Sequence, residues 1–437
     1  MRHPQCDGHT IHLGISSRLS AHHRKAALSG FNPVNTIHRK SLLILSFTML
    51  VVMMGYSLAM PLLPFYIERF GVGGTELGWL MSTYALMQFI CAPLWGIASD
   101  RYGRKPILAV GVLGYAITLF MFGIAQNFMM MFIARALSGI LSSATQPTAL
   151  AYIGDNTPQK EKGRGMGQLG AMAGIGVVLG PLVGGLLSKD SLALPFFVGS
   201  GLAALALLLV IFLLPESKPA SFSRGDLSPS IEKKPTPKPL RTRDVYLRVL
   251  LSPVGLLLLL IFIMSFGMTN FQGMIGLYVV DKLDFTTTQV GSLWMVMGAM
   301  LIIVQGALVG MLTEKFGDLL LIKVGLLGGA VGFIFVAFAW NYITTLLALA
   351  FFILTLALIG PALNSYLSNF AGEHQGTVMG MNSAGTSLGK VLGPLWGGFI
   401  YDINIEYPFF SGAATLLFGL LLCLFAFRRQ PTVHAAA

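Results

Sequence analysis

Apolar residues run along this chain in long unbroken stretches, and polar residues collect in the short gaps between them. About 20 mostly apolar residues are needed for a helix to cross the hydrocarbon core of a bilayer. Twelve such runs are legible, at roughly 41–66, 77–98, 106–125, 128–152, 166–188, 194–214, 250–280, 288–312, 319–339, 342–366, 376–400 and 406–427. They are continuous rather than alternating, which predicts helices and not the short alternating strands of a β-barrel. The fold class expected is therefore an all-α membrane protein with twelve transmembrane helices.

Charge orients the runs. With the N-terminus inside, six Lys/Arg precede the first run, three follow the second, three the fourth, eight the sixth and two the eighth (counting Lys323 near the start of the ninth), and two end the chain. The gaps assigned to the outside hold only Arg69, Lys189 and Lys282. This is the bias of the positive-inside rule, so both termini are expected in the cytoplasm of a multi-pass protein of the cell (inner or plasma) membrane. The net charge of +11 is explained by topology, and no nucleic-acid partner is implied. Residues 1–40 read as a disordered cytoplasmic tail, 215–249 as a Pro-, Ser- and charge-rich cytoplasmic linker, and 429–437 as a second tail.

Composition agrees. The chain is 54% hydrophobic and 11% charged, with a mean hydropathy of +0.73, against about 25% charged in soluble domains. Its 51 glycines suit close helix packing in lipid. Three scattered cysteines form no disulfide framework or metal site, and neither a P-loop nor a nucleophile–base cluster is present. No enzyme, cofactor or metal is implied.

The sequence also repeats itself. Val178-Leu-Gly180-Pro181-Leu-Val-Gly184-Gly185 returns as Val391-Leu-Gly393-Pro394-Leu-Trp-Gly397-Gly398, an offset of 213. Gly96, Asp100, Arg101 and Gly103 return, at an offset of 214, as Gly310, Glu314, Lys315 and Gly317. Two six-helix units in the same orientation follow, spanning 41–214 and 250–428. Parallel repeats are one recognised transporter plan, with the substrate site at the repeat interface near midplane. One chain holds both units, so a monomer suffices.

GIASDRYGRKP, from Gly96 to Pro106, resembles the loop signature of the major facilitator superfamily. Gly174 to Gly185 resembles that family's export-type fifth-helix signature, and Arg135 with Gly139 its fourth-helix signature. The Met60-Pro-Leu-Leu-Pro-Phe-Tyr66 and Ser365–Gly376 stretches make the chain similar to the drug:proton antiporter branch, in particular Gram-positive multidrug efflux pumps of the NorA type. That resemblance implies a secondary transporter exporting small amphipathic compounds in exchange for protons. It also implies that Gly96, Asp100, Arg101, Gly103, Arg104 and Lys105 latch the two halves in the outward-facing state. Gly310, Glu314, Lys315 and Gly317 would form a weaker second latch, because Asp318 stands where Arg104 does. Gly176, Gly180, Pro181, Gly184, Gly185, Gly393 and Pro394 are the candidate hinge, where proline bends a helix and glycine lets neighbours close in.

Two cations lie inside runs, Arg135 in the fourth and Lys390 in the eleventh, where a charge normally faces a cavity or a partner. Lys390 replaces Val177 of the first repeat. In the fold implied, runs one, four, seven and ten line the central cavity. Tyr56, Ser57, Gln146, Asn270, Gln272, Asn364 and Tyr366, with Phe47 and Phe271, are then the candidates for a substrate and proton pathway. The departure from the pattern concerns carboxylates, since no Asp or Glu falls mid-run. Gln272 and Ala357 stand where similar pumps often carry acids, and the nearest acids, Glu68, Asp100 and Asp281, lie at run ends. An exporter of an anionic metabolite, siderophore or lipid-linked product is the alternative, and a receptor that moves nothing is a further one.

Overall fold

The computed structural model describes residues 33–217, 253–371 and 375–426. Most of the expected linker and tails lies outside these residues. The helices are α1 (Pro33–Ala59), α2 (Leu63–Phe70), α3 (Gly74–Tyr102), α4 (Arg104–Gly123), α5 (Phe128–Ser142), α6 (Thr145–Asn156), α7 (Gln159–Leu187) and α8 (Leu194–Leu213). After the gap come α9 (Pro253–Leu283), α10 (Thr287–Ile303), a π-helical turn (Val304–Leu308), α11 (Val309–Phe316), α12 (Asp318–Ala337), α13 (Tyr342–Leu356), α14 (Ile359–Ala371), α15 (Gln375–Tyr401) and α16 (Tyr407–Ala426). Among the described residues there is no strand.

Among the described residues, eleven helical stretches are long and apolar enough to cross a membrane. The expected eleventh run is the unbroken 27-residue α15, which carries Asn382, Ser383, Thr386, Ser387 and Lys390 and is not among the eleven. α1 also starts ahead of the expected residue 41.

Three expected runs are interrupted, for one physical reason. A proline ring clashes with the carbonyl four residues earlier, so a helix must break or bend there. Pro64, Pro147 and Pro361 each sit within the first three residues of α2, α6 and α14, and their i−4 residues, Met60, Ser143 and Ala357, lie in the breaks. Pro147 and Pro361 are separated by the same offset of 214 as the two loop copies. So are the helix caps Asn127 and Asn341, whose side-chain oxygens each accept 2.9 Å bonds from Met130 and Thr344 amides. Gly103 and Gly317, the turns of the two loop copies, both take positive φ, +100° and +76°. The duplication is thus built into breaks, caps and turns.

It governs packing too. α1 packs along α7 as α9 packs along α15, and α4 packs on α8 as α12 packs on α16. The two groups of helices then meet through α3 against α15 and α7 against α10, again an equivalent pair. Within each group the seam is made of small residues. A Cβ at Gly180 would stand 2.3 Å from the Met54 carbonyl, and one at Gly393 2.7 Å from the Phe266 carbonyl, so backbones touch where any larger residue would hold them apart. The second group also has a dry aromatic core in which Phe271 stacks among Phe352, Phe333 and Phe409 at 4.2, 5.7 and 6.1 Å.

Candidate functional site

Where the two groups of helices meet, three adjoining chambers share Tyr56 in their lining. The first, about 80 Å³, lies between Tyr84, Gln88 and Arg135 on one side and Gln272, Lys390 and Pro394 on the other. The second, about 480 Å³, extends past Tyr115, Ser142, Gln146 and Lys390 towards the end of the molecule that carries the Gly103 turn. The third, about 90 Å³, is walled by Met268, Trp294, Met297, Leu301, Val177 and Pro181.

Helical spacing explains the lining. Met81, Tyr84, Ala85 and Gln88 fall at i, i+3, i+4 and i+7 on one face of α3, as Lys390 and Pro394 fall four apart on α15, while Tyr56 lies on α1 and Met60 in the break after it. The same spacing separates two residues that the sequence grouped together. Residues two apart on a helix point about 200° away from each other. Gln272 faces the chambers, while Asn270 is fully buried and donates from its amide to the Pro408 carbonyl at 2.8 Å. Phe271 belongs to the aromatic core. Asn364 accepts from Asn382 at 2.8 Å, Tyr366 and Phe47 pack on the apolar core, and none of these lines the three chambers. Tyr56, Ser57, Gln146, Gln272, Arg135 and Lys390 do line them. Tyr84, Gln88, Met81 and Trp294 were missed by the sequence reading. Gln88 carried a usable signal, as the one amide in its apolar run.

Arg135 is 2% exposed. Its guanidinium lies 4.6 Å from the centre of the Tyr84 ring and 5.9 Å from that of Tyr56, with one nitrogen 3.6 Å from the Met81 sulfur. Its Nε has no hydrogen-bond partner. A desolvated cation–π contact gives about 2 kcal/mol, against a penalty of several kcal/mol for taking the charge out of water. The rings therefore offset only part of the cost. Lys390 is exposed to the space it lines, and among the described residues it forms no ion pair. No Asp or Glu lines any of the three chambers.

The end opposite the Gly103 turn is shut. A Cβ at Gly78 would lie 2.4 Å from the Pro394 carbonyl, and one at Gly398 2.2 Å from the Gly74 carbonyl. Ser82 donates to the Val391 carbonyl at 2.6 Å, and Thr288 to the Gly185 carbonyl at 3.0 Å. Asp402, just beyond α15, accepts from the Gly74 and Thr75 amides at 2.7 and 2.9 Å and from the Thr75 hydroxyl. A carboxylate thus caps the N-terminus of α3 from the other group of helices. Asp281 and Glu68 line the shallow vestibule beside it, and Tyr401 donates to Asp281 at 2.6 Å.

The loop signature behaves differently. Arg104 bridges Asp100 and Asp155 and donates to Ser99 at 2.7 Å, and the Lys105 amide donates to Glu216 at 3.1 Å, all within the first group of helices. Arg101 lies over its neighbour Tyr102. In the second copy Asp318 accepts from Ser365 at 2.7 Å, within the second group, and Lys315 lies over Phe316. A Cβ at Gly96, Gly163, Gly167, Gly310, Gly376 or Gly380 would meet nothing within 4 Å. Among the described residues no such close contact shuts this end.

Paired helix groups around a chamber at their interface are the plan of a membrane transporter. The chain belongs to the Major Facilitator Superfamily, whose profile matches residues 45–383 and 308–437. It is 30% identical to Multidrug resistance protein 2 of Bacillus subtilis over 87% of this chain and 94% of that protein. It is 29% identical to the Quinolone resistance protein NorA of Staphylococcus aureus over 88% of this chain and 96% of that one. Among solved structures, a bacterial homologue of the human lysosomal transporter Spinster, in an inward-facing and occupied conformation, matches 92% of this chain and 98% of its own (TM-score 0.72, 16% identity). The nucleoside transporter NupG matches 88% and 99% (TM-score 0.74, 12% identity). The protein is a multi-pass membrane transporter and not an enzyme.

Proposed function

We propose that this protein exports small amphipathic compounds, a multidrug efflux activity, by alternating access in exchange for protons. The observation that carries the reading is the Tyr56-centred chamber, amphipathic and sealed at one end only. It occurs in a chain about 30% identical, along nearly its whole length, to multidrug resistance proteins. α15 is read as the twelfth membrane span despite its polar residues, since it packs along α9 as α7 packs along α1. Residues 41–214 and 250–428 then form two six-helix halves, with 215–249 a cytoplasmic linker and both termini cytoplasmic, as the charge bias supports.

On that orientation the open end faces the cytoplasm and this is the loading state. The Gly103 and Gly317 loops latch only after the halves rock, which is why their charges now bond within their own halves. Gly180, Pro181 and their repeats in α15 form the seams about which the halves hold their shape. The protein works as a monomer. Inverted vesicles containing it, given an imposed pH gradient and a panel of cationic, neutral and anionic amphiphiles, should accumulate at least one class in a gradient-dependent way. No accumulation of any class would remove the efflux reading. Accumulation indifferent to the gradient would remove only proton exchange.

A further inference from the structure

The duplication is broken at one informative place. Val177 and Lys390 are equivalent positions of α7 and α15, yet Val177 walls the Met- and Trp-lined chamber while Lys390 enters the chamber of Arg135. This divergence places a charged chamber beside an apolar one, with Tyr56 and Gln272 lining both. The charged side holds two cations and no carboxylate, and the buried Arg135 Nε is unpartnered. A buried charge normally finds a counter-charge. Here the described residues supply none: their ion pairs use Arg104 and Lys282, both remote from the chambers.

From this geometry we infer that the cavity is a seat for amphipathic acids. The carboxylate of the ligand lies between Arg135 and Lys390, with the Gln88 and Gln272 amides completing its hydrogen bonds. The apolar or aromatic body extends past Tyr56 towards Trp294 and Met297. A lipophilic cation in the same place would meet two like charges and no acid. Lys390 is thus the specificity-determining residue, because it is the cation that the repeat adds and that faces open space, whereas Arg135 is already wedged between rings. The inference rests on the transport reading only for movement of the ligand, not for its binding.

The test uses the full chain in lipid nanodiscs, with empty nanodiscs subtracted, and three probes on one scaffold: 2-naphthoate, its methyl ester and 2-(aminomethyl)naphthalene. Equilibrium dialysis should show naphthoate bound about tenfold more tightly than the ester or the amine, the worth of about one charge-assisted hydrogen bond. Lys390→Gln should erase that preference, Lys390→Arg should keep it, and Lys390→Glu should turn it towards the amine. If Lys390→Gln loses all binding, retention by Lys390→Arg still supports the seat and loss in both overturns it. Tightest binding of the amine by the unaltered protein, equal binding of the three probes, or no binding of naphthoate also overturns it. Flux of the same probes in vesicles separates the two readings. Naphthoate that binds through Lys390 but is never moved leaves the seat standing and sinks transport.

Discussion

The two ends of the helix bundle carry different chemistry. At one end, backbones of the two halves touch through glycines, and the Asp402 carboxylate reaches across to cap α3. At the other, among the described residues, the charged loops bond within their own group of helices. A seam of glycine contacts has no reach and fails once backbones separate by a few tenths of an ångström. A loop of long charged side chains can exchange one partner for another across several ångströms. The loop motif is thus the one that is idle between the halves in this state, whereas Gly185, Pro394 and Gly398 of the glycine–proline repeat sit in the seal.

Replacing Gly398 or Gly78 by Leu should have the largest effect. Either side chain would collide with backbone of the other half, which cannot yield as a flexible side chain can. Transport should fall by about two orders of magnitude or more, since a seam held open stays open. A Gln88→Cys reporter should then react with an impermeant maleimide from outside the cell. Transport within threefold of the unaltered protein would show that the glycine seam is not what shuts this end.

Asp402→Asn should come next. It keeps the shape but removes the charge from bonds worth about 1.5–3 kcal/mol together. The population open to the outside should rise by roughly 10- to 150-fold, read by the same maleimide reaction. An unchanged rate would make Asp402 an ordinary surface cap.

Arg104→Ala sharpens the contrast from the other side. Its bridges to Asp100 and Asp155 are partly exposed and internal to one half, so thermal stability in this state should drop by no more than about 1 kcal/mol. Transport should nevertheless fall severalfold if the loop is needed once the halves rock. Equal losses in stability and transport would reduce the loop to an anchored turn. Ser365→Ala should do least, because its bond to Asp318 is exposed and the second copy lacks an arginine; about 0.5 kcal/mol or less is expected in a thermal melt.

How much was legible follows from what hydrophobicity reports. Long apolar runs announced the helices, and the glycine–proline copies announced the duplication, because both survive as local pattern. The face that each helix turns inward was not readable, since lipid and protein interior are equally apolar and no amphipathic stripe forms. Asn270 and Gln272 therefore looked alike, though one bonds the start of α16 and the other lines the cavity. Asp402 looked like any acid in an exposed turn; only the approach of a helix 327 residues away in sequence gives it a role. The Pro147 and Pro361 breaks went unread because hydropathy passes through them and because other prolines, Pro93, Pro181 and Pro394, sit inside unbroken helices.

On the proposed alternating-access reading, Arg135 and Lys390, which form no ion pair among the described residues, would also make the empty carrier sensitive to voltage. Two fixed positive charges at the pivot of a rocking motion feel the field of the membrane, and a full crossing by one charge is worth about 2.3 kcal/mol per 100 mV. An interior-negative potential draws such charges towards the cytoplasm and so favours the empty site resting open to that side. Once an acid neutralises one of the two, the pull is halved. The resting membrane would thereby reset the unloaded protein and slacken its hold as the cargo arrives.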